Sequence, residues 1–348
     1  MNILLGDISS YKAISVAKFI RENYSDFKIY SFDSRSFTND FHTKYVDKNF
    51  VIEDLGFDSF IDIIDTYKID FFIPVINESL ARFWKNKNKF KNTLNYLGEF
   101  STYQILNDKL QLHELAKDLK ILVPEKYKSL KQAIIPFVVK PNDLSSAKGV
   151  IYINQAKDIP ISINTNTSII QQYVKGTGVG YSFYCKNGRI MDGYGHKRLA
   201  EYPVSGGSST YREHYQDERM NEMASKIVKH LNFSGFAMFE FLLTDSNKLY
   251  LLEVNPRIWG SINQGMVNGT NYFKEIFGTQ KTKIKKKKNH VKTYIGPVIY
   301  ISLVNYLFKM NFKPVFIFFN NVFNNVPDVN FIYDPKGYLS TIIRKLTS

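Results

Sequence analysis

The chain has 348 residues, of which 44% are hydrophobic and 22% charged, so it can bury a sizeable core and is excluded from the disordered class. It carries 46 Lys and Arg against 32 Asp and Glu, but residues 279–348 hold 12 of those cations and 2 of those acids, a net of +10. The remaining body is close to balanced at +4, which excludes a broad nucleic-acid-binding face there, and the single cysteine, Cys185, excludes an intramolecular disulfide or a cysteine-rich metal site.

The N-terminus, MNILLGDISS, lacks the basic segment and long apolar core of a secretory leader, and no 18-residue apolar run occurs. Together with the cysteine usage this gives a cytoplasmic expectation. Ile3–Leu5 is a short apolar run ending at Gly6, followed by Ala13, Val16, Ala17 and Ile20 at helical spacing. Lys28–Phe32 reads as a strand, Phe57, Phe60, Ile61 and Ile64 as a helix face, and Phe71–Val75 as another strand. Alternating strands and helices predict a parallel sheet, whose ligands sit beyond the carboxyl ends of its strands. Gly6–Ser10, Asp33–Arg35 and Asn77–Glu78 fall at those ends, without a dinucleotide fingerprint.

Further along, Leu112, Leu115, Ala116 and Leu119 predict a helix after Asp108–Lys109, and Phe137–Lys140 a strand running into a small-residue turn, NDLSSAKGV. Ile169–Tyr173 is a strand leading to the glycine-punctuated VKGTGVGYSFYC. The segment GHKRLAEYPVSGGSSTYRE is read as too polar and glycine-rich for a core element, either an anion-presenting turn or a surface loop. Met220, Met223, Ala224, Ile227, Val228 and Leu231 form a helical stripe, and Phe236–Leu243 and Leu249–Val254 are strands joined by a polar turn. A lysine-rich link including Lys285–Lys288 then precedes an aromatic C-terminal segment. The link is read as solvated, with contact to anionic lipid as the alternative.

The most informative pair is Glu240 in AMFEF and Glu253 in LLEVNPR. On adjacent strands of a hairpin they can face one point, and Asn255 shares the face of Glu253 because strand side chains repeat with period 2. Two carboxylates and an amide oxygen make a hard site suited to Mg²⁺ completed by substrate phosphates. The alternative is two solvent-exposed glutamates, which the apolar surroundings of Glu240 make costly. Lys109 and Lys140 can neutralise phosphate or be ordinary surface lysines. Among the 9 arginines, Arg198, Arg212 and Arg257 lie in the polar motif region, where a planar fork suits carboxylate or phosphate. The six histidines show no metal-ligand spacing, and Cys185 is read as a packing residue.

The order of these parts over residues 1–278 resembles the ATP-grasp superfamily, with EVNPR its most specific piece and HKRLAEYPVSGG similar to the carboxylate–amine ligase branch. The resemblance implies an α/β and α+β architecture: a Rossmann-like pre-ATP-grasp domain over 1–105, a small ATP-grasp lobe over 106–175, and a large lobe with the metal site over 176–278. A basic, partly helical extension over 279–348 follows. It implies Lys109 and Lys140 on the ATP phosphates and the turn Ser145–Gly149, with Ser145, Ser146 and Gly149, closing over them. It further places the hinge Gln171, Gln172, Tyr173 and Val174 at the adenine. Glu240, Glu253 and Asn255 would bind Mg²⁺, with Mn²⁺ as its alternative, and Lys197, Arg198 and Arg257 would contact the γ-phosphate and acyl phosphate.

Glu78, Glu201, Ser205, Gly206, Gly207 and Ser208 are candidates for substrate contact, the two glutamates as acceptors of the amine's proton. Many relatives carry a glutamate after the hinge for the ribose, where this chain has GTGVG. The expected activity is ATP-dependent joining of a carboxylate to an amine through an acyl phosphate, with small-molecule partners and no nucleic acid. The alternatives are a carbamoyl-phosphate-synthetase-like or carboxylase-like use of bicarbonate, and a non-catalytic ATP-binding protein peripheral to the membrane.

Overall fold

The structure, a computed structural model, describes residues 1–53, 56–142, 149–160, 167–204, 206–278 and 290–347. Its N-terminal part is a parallel sheet of β1 (Asn2–Leu5), β2 (Lys28–Asp33), β3 (Lys48–Val51) and β4 (Phe71–Ile73) in the order β3-β2-β1-β4. The chain leaves β1 on one side for β2 and later returns to its other side at β4. The carboxyl ends of β1 and β4 therefore flank a topological switch point, where such sheets bind ligands. α1 (Tyr11–Asn23) starts there, its first turn held by the Ser10 side chain accepting from the Ala13 amide at 3.3 Å. It buries Ala13, Val16, Ala17 and Ile20, the predicted stripe. α2 (Phe57–Thr66), α3 (Asn77–Lys85), α4 (Phe100–Asn107) and α5 (Lys109–Asp118) follow.

A small antiparallel sheet comes next, with β5 (Phe137–Pro141) between β6 (Ile151–Ile153) and β7 (Ser168–Gln172). It has its own apolar core of Phe137, Val139, Ile153 and Ile170.

The large sheet runs β12-β11-β8-β9-β10-β13-β14. Its strands are β8 (Thr177–Lys186), β9 (Arg189–Tyr202), β10 (Ser208–His214), β11 (Gly235–Leu243), β12 (Leu249–Asn255), β13 (Lys292–Tyr294) and β14 (Asn325–Pro327). α6 (Glu218–His230) buries Met220, Ala224, Ile227 and Val228, then α7 (Ile262–Val267) and α8 (Lys274–Phe277) lead on. One apolar core is shared by the N-terminal sheet and this large sheet, as in the contacts of Phe19 with Phe273 at 6.0 Å and Tyr24 with Phe277 at 5.2 Å.

The polar segment expected to stay out of the core instead forms β9 and β10, inside the large sheet, with Tyr211 and Arg212 fully buried. Its polar groups tolerate burial because they are paired. The Arg212 guanidinium forms an ion pair with Asp328, and its Nε donates to Thr293 Oγ1 at 2.7 Å. Those partners belong to the C-terminal segment, which is built into the fold. β13 extends the sheet beside β10, α9 (Gly296–Phe308) and α10 (Lys313–Asn320) cover one side of it, and α11 (Pro335–Leu346) returns to the N-terminal sheet. The run Lys285–Lys288 lies outside the described residues.

Candidate active site

The site forms where the end of β1, the end of β4 and one face of the large sheet meet, around a cavity of about 320 Å³. Antiparallel pairing aligns Glu253 of β12 with Glu240 of β11, Glu240 with Gly180 of β8, and Gly180 with His196 of β9. One row of side chains thus crosses four strands on a single face. Asn255, two residues beyond Glu253, donates from its amide to Glu240 Oε1 at 3.1 Å and to Glu253 Oε1 at 3.4 Å. The predicted set of two carboxylates and an amide is therefore together, at the cavity wall. Arg257 Nη2 donates to Asn255 Oδ1 at 2.7 Å and so joins the same group.

Arg198 reaches Glu240 in an ion pair and also pairs with Glu201 at 3.7 Å. To do so its side chain passes over β8, where glycine makes room. A Cβ at Gly178 would lie 2.8 Å from Arg198 Cδ, and one at Gly180 would press against His196 Cε1 inside contact distance. The sequence GTGVG thus has a steric reason of its own in this chain, whatever contacts the ribose. His196 faces the cavity in the neutral form, because burial and the nearby Arg198 and Arg212 drive its imidazole down to about 3. Glu240 is shifted upward by burial, which Arg198 opposes.

From the small-sheet side, Lys109 stands at the first position of α5, whose start is capped by Asp108 accepting from the Leu110 and Gln111 amides at 2.9 Å. Its ammonium lies 3.9 Å from Glu253 and donates to the Asn142 carbonyl at 3.5 Å. Lys140, near the end of β5, has its ammonium pushed down by burial, while Glu253 pulls it back up. Neither lysine lines the cavity itself: Lys109 stands beside Glu253, and Lys140 is half-buried within reach of the Glu253 and Glu240 charges. Gln171 is buried, and Gln172 ends β7 with its amide donated to the Glu125 carbonyl at 2.8 Å. Tyr173 and Val174 follow between the small sheet and β8, with the Tyr173 ring 6.1 Å from that of Tyr152. Gly149 takes a left-handed φ of +71°, whereas Ser145 and Ser146 lie outside the described residues, as does Ser205.

Two expectations are corrected. Lys197 is not among the cavity-lining residues: strand alternation that aims His196 and Arg198 inward turns Lys197 to the other face, its ammonium 5.9 Å from the Tyr215 ring centroid. Arg212, grouped with the anion-binding arginines from sequence, serves burial instead, as described above. Glu78 lines the cavity together with Gly206, Gly207 and Ser208. Glu201 is occupied structurally, accepting from the Gly206 amide at 2.9 Å while paired to Arg198.

Sequence reasoning missed the cations of the far wall. Lys12, in the first turn of α1, donates to the Ile258 carbonyl at 3.4 Å, and burial followed by repulsion from Arg257 pushes its ammonium well down. From α11, Arg344 donates to Ser9 Oγ at 2.8 Å and lies 3.7 Å from Asp33, and Lys345 lines the same wall. Asp33 also accepts from the Ser9 amide at 2.9 Å, fixing the β1–α1 turn. Asp7, at a φ of +58°, accepts from the Val75 and Ile76 amides at 3.0 and 2.9 Å and ties that turn to the one after β4. The one signal in the sequence was that Arg344 is the single arginine of a lysine-rich segment.

Residues 106–261 match the family model of the ATP-grasp domain. Among solved structures, the chain is similar to biotin carboxylase from Campylobacter jejuni at 15% identity and a TM-score of 0.65, over 84% of this chain and 74% of that one. It is similar to L-amino acid ligase from Bacillus licheniformis at 16% identity and a TM-score of 0.58, over 84% and 77%. N5-carboxyaminoimidazole ribonucleotide synthetase from Thermotoga maritima gives 16% identity and a TM-score of 0.56, over 84% and 78%. No curated protein matches the sequence.

Proposed function

We propose that this chain, whose residues 106–261 form an ATP-grasp domain within an ATP-grasp fold, is an ATP-dependent ligase that activates a carboxylate as an acyl phosphate and joins it to an amine. The observation that carries this reading is the convergence of Glu240, Glu253 and Asn255 on one sheet face, with Lys109, Lys140, Arg198 and Arg257 around them.

The donor set fits a divalent cation. Glu240 and Glu253 offer hard oxygen atoms where they converge, whereas the Asn255 amide turns its NH2 to them and its Oδ1 to Arg257, so that its oxygen would join a bound cation only with the amide turned over. Among the described residues no group of three or more His, Cys, Asp or Glu could hold a metal. Two carboxylates with one amide suit Mg²⁺, whose remaining ligands are water and substrate phosphate. When bound, that ion supplies charge neutralisation at the transferring phosphoryl group.

In the first step a substrate carboxylate oxygen attacks the γ-phosphorus of ATP, and ADP leaves. Lys140 and Arg257 hold charge at the phosphoryl oxygens, as the largely electrostatic demand of phosphoryl transfer requires. In the second step the amine attacks the acyl carbon, phosphate leaves, and the amine's proton goes to a carboxylate, a role that the position of Glu78 in the cavity lining supports. The neutral His196 adds no charge to the cavity and packs beside Arg198.

Besides Arg257, the wall nearest the N-terminal sheet carries Lys12, Arg344 and Lys345 against Glu78 and the Asp33 beside Arg344, and this surplus of one cation suits an acid that carries a further anionic group. Its partners on this reading are ATP, an acid and an amine, with the C-terminal segment as the place where a membrane would touch the protein. The test is ADP release from the purified chain against libraries of acids and amines. Release that needs both an acid and an amine supports the ligase. Release with bicarbonate and no amine would move the reading to carboxylation.

A further inference from the structure

We infer that the outer face of α9 and α10 is a docking surface for anionic lipid. α9 buries Ile299, Leu303 and Tyr306 toward β9 and β10, and α10 buries Phe318 in the same small core. The opposite side of the same two helices is also apolar, and among the described residues nothing covers it. Phe308, at the end of α9, is 84% exposed, Met310 75%, Phe316 67%, and Phe323, just past α10, 100%. A helix that is apolar all round belongs in a buried environment. Contiguous apolar patches beyond a few hundred Å² are rare on soluble monomers.

Tyr300 on α9 is 54% exposed and Phe319 on α10 61%, and both rings rest on the buried Phe318, at 6.3 and 5.6 Å, so the exposed rings of the two helices flank one core residue.

Charge selects the occupant. Asp328 and Asp334 are the only acidic residues of the sequence after residue 278, and both are buried: Asp328 pairs with Arg212, and Asp334 bonds Thr43 while capping α11. Among the described residues, α9 and α10 therefore present no acidic side chain, while Lys309 and Lys313, both exposed, bracket the apolar tip. Aromatic side chains rimmed by lysines match a bilayer interface with anionic headgroups. A second copy of the chain would instead bring two like-charged faces together. With 13 and 8 residues, α9 and α10 are too short to span a bilayer, and no helix among the described residues is long and apolar enough to do so. The contact is with the surface of the bilayer.

The test is co-sedimentation of the full chain with vesicles of phosphatidylcholine, alone or mixed with phosphatidylglycerol, at low and high salt. Binding should require phosphatidylglycerol and weaken at high salt. The double variants Phe316→Asp/Phe323→Asp and Lys309→Glu/Lys313→Glu should each bind about tenfold more weakly, with unchanged melting temperature and unchanged ATP binding. Three results would overturn the inference: no preference for the anionic vesicles, undiminished binding by both variants, or a dimer in light scattering that Phe316→Asp/Phe323→Asp dissolves. None of these readouts depends on catalysis.

Discussion

Arg198 and Glu240 stand on β9 and β11, with β8 between them, yet their side chains form an ion pair. Two strand spacings amount to roughly 10 Å, a gap an arginine bridges only if the intervening strand presents no side chain. Gly178 and Gly180 meet that condition. The cavity floor is thus shaped by two glycines as much as by the charged groups that lie over them.

Substituting Gly180 by Ala should displace His196 and cost about 1–3 kcal/mol of stability, as overpacking does. Gly178→Ala meets Arg198 at its flexible Cδ, 2.8 Å away, so its main effect should fall on turnover. Denaturant unfolding and ADP release of the two variants separate these effects. Equal stability of Gly180→Ala and the parent chain would contradict the packing described.

The Arg212–Asp328 pair fastens the C-terminal segment to the large sheet with both side chains buried. Asp328→Ala should lower stability by about 3–5 kcal/mol, because it leaves a buried guanidinium without its counter-charge. Urea unfolding measures this. A loss well under 1 kcal/mol would mean that solvent reaches Arg212.

His196 makes stability depend on pH. Its folded value of about 3 lies below the ordinary 6.5, so between them the unfolded chain takes up a proton that the folded chain refuses. The contribution is complete above 6.5 and is lost as pH falls toward 3. His196→Gln should therefore lose less stability than the parent between pH 7 and pH 5, as followed by denaturant midpoints. Parallel losses would contradict a neutral, buried imidazole.

Arg344→Ala should raise the KM for the acidic substrate about 10–100-fold, the cost of a charge-assisted hydrogen bond of about 1.5–3 kcal/mol, and leave the KM for ATP unchanged. Lys12 adds a pH dependence. Burial and Arg257 lower its ammonium, so as pH rises through that lowered value the positive charge is lost and the acid binds more weakly, below the pH at which lysine ordinarily titrates. Lys12→Arg should remove this alkaline weakening. A KM change confined to ATP would place the anionic group elsewhere.

The parts of the site legible in the sequence are those fixed by local periodicity. Glu253 and Asn255 are two apart on one strand, and a short hairpin sets Glu240 beside them, so composition and spacing suffice. Lys197 shows how narrow that success is: it neighbours two cavity residues in sequence, and a shift of one residue along a strand reverses the face. The polar stretch around Arg212 looked like surface because its partners Thr293 and Asp328 lie far along the chain. Arg344 meets Ser9 across 335 residues, and no periodicity carries that information. The aromatic C-terminal segment resembled an appendage for the same reason, although its strand β13 is an integral part of the large sheet.

Glu240, Glu253 and Asn255 are proposed to hold the cation that supports phosphoryl transfer to a carboxylate. Glu253→Gln keeps the shape and removes one charge, so ADP release in the presence of Mg²⁺, acid and amine tests it directly. The arrangement predicts that turnover is abolished while the melting temperature stays close to that of the parent chain. Near-normal turnover by Glu253→Gln would contradict it.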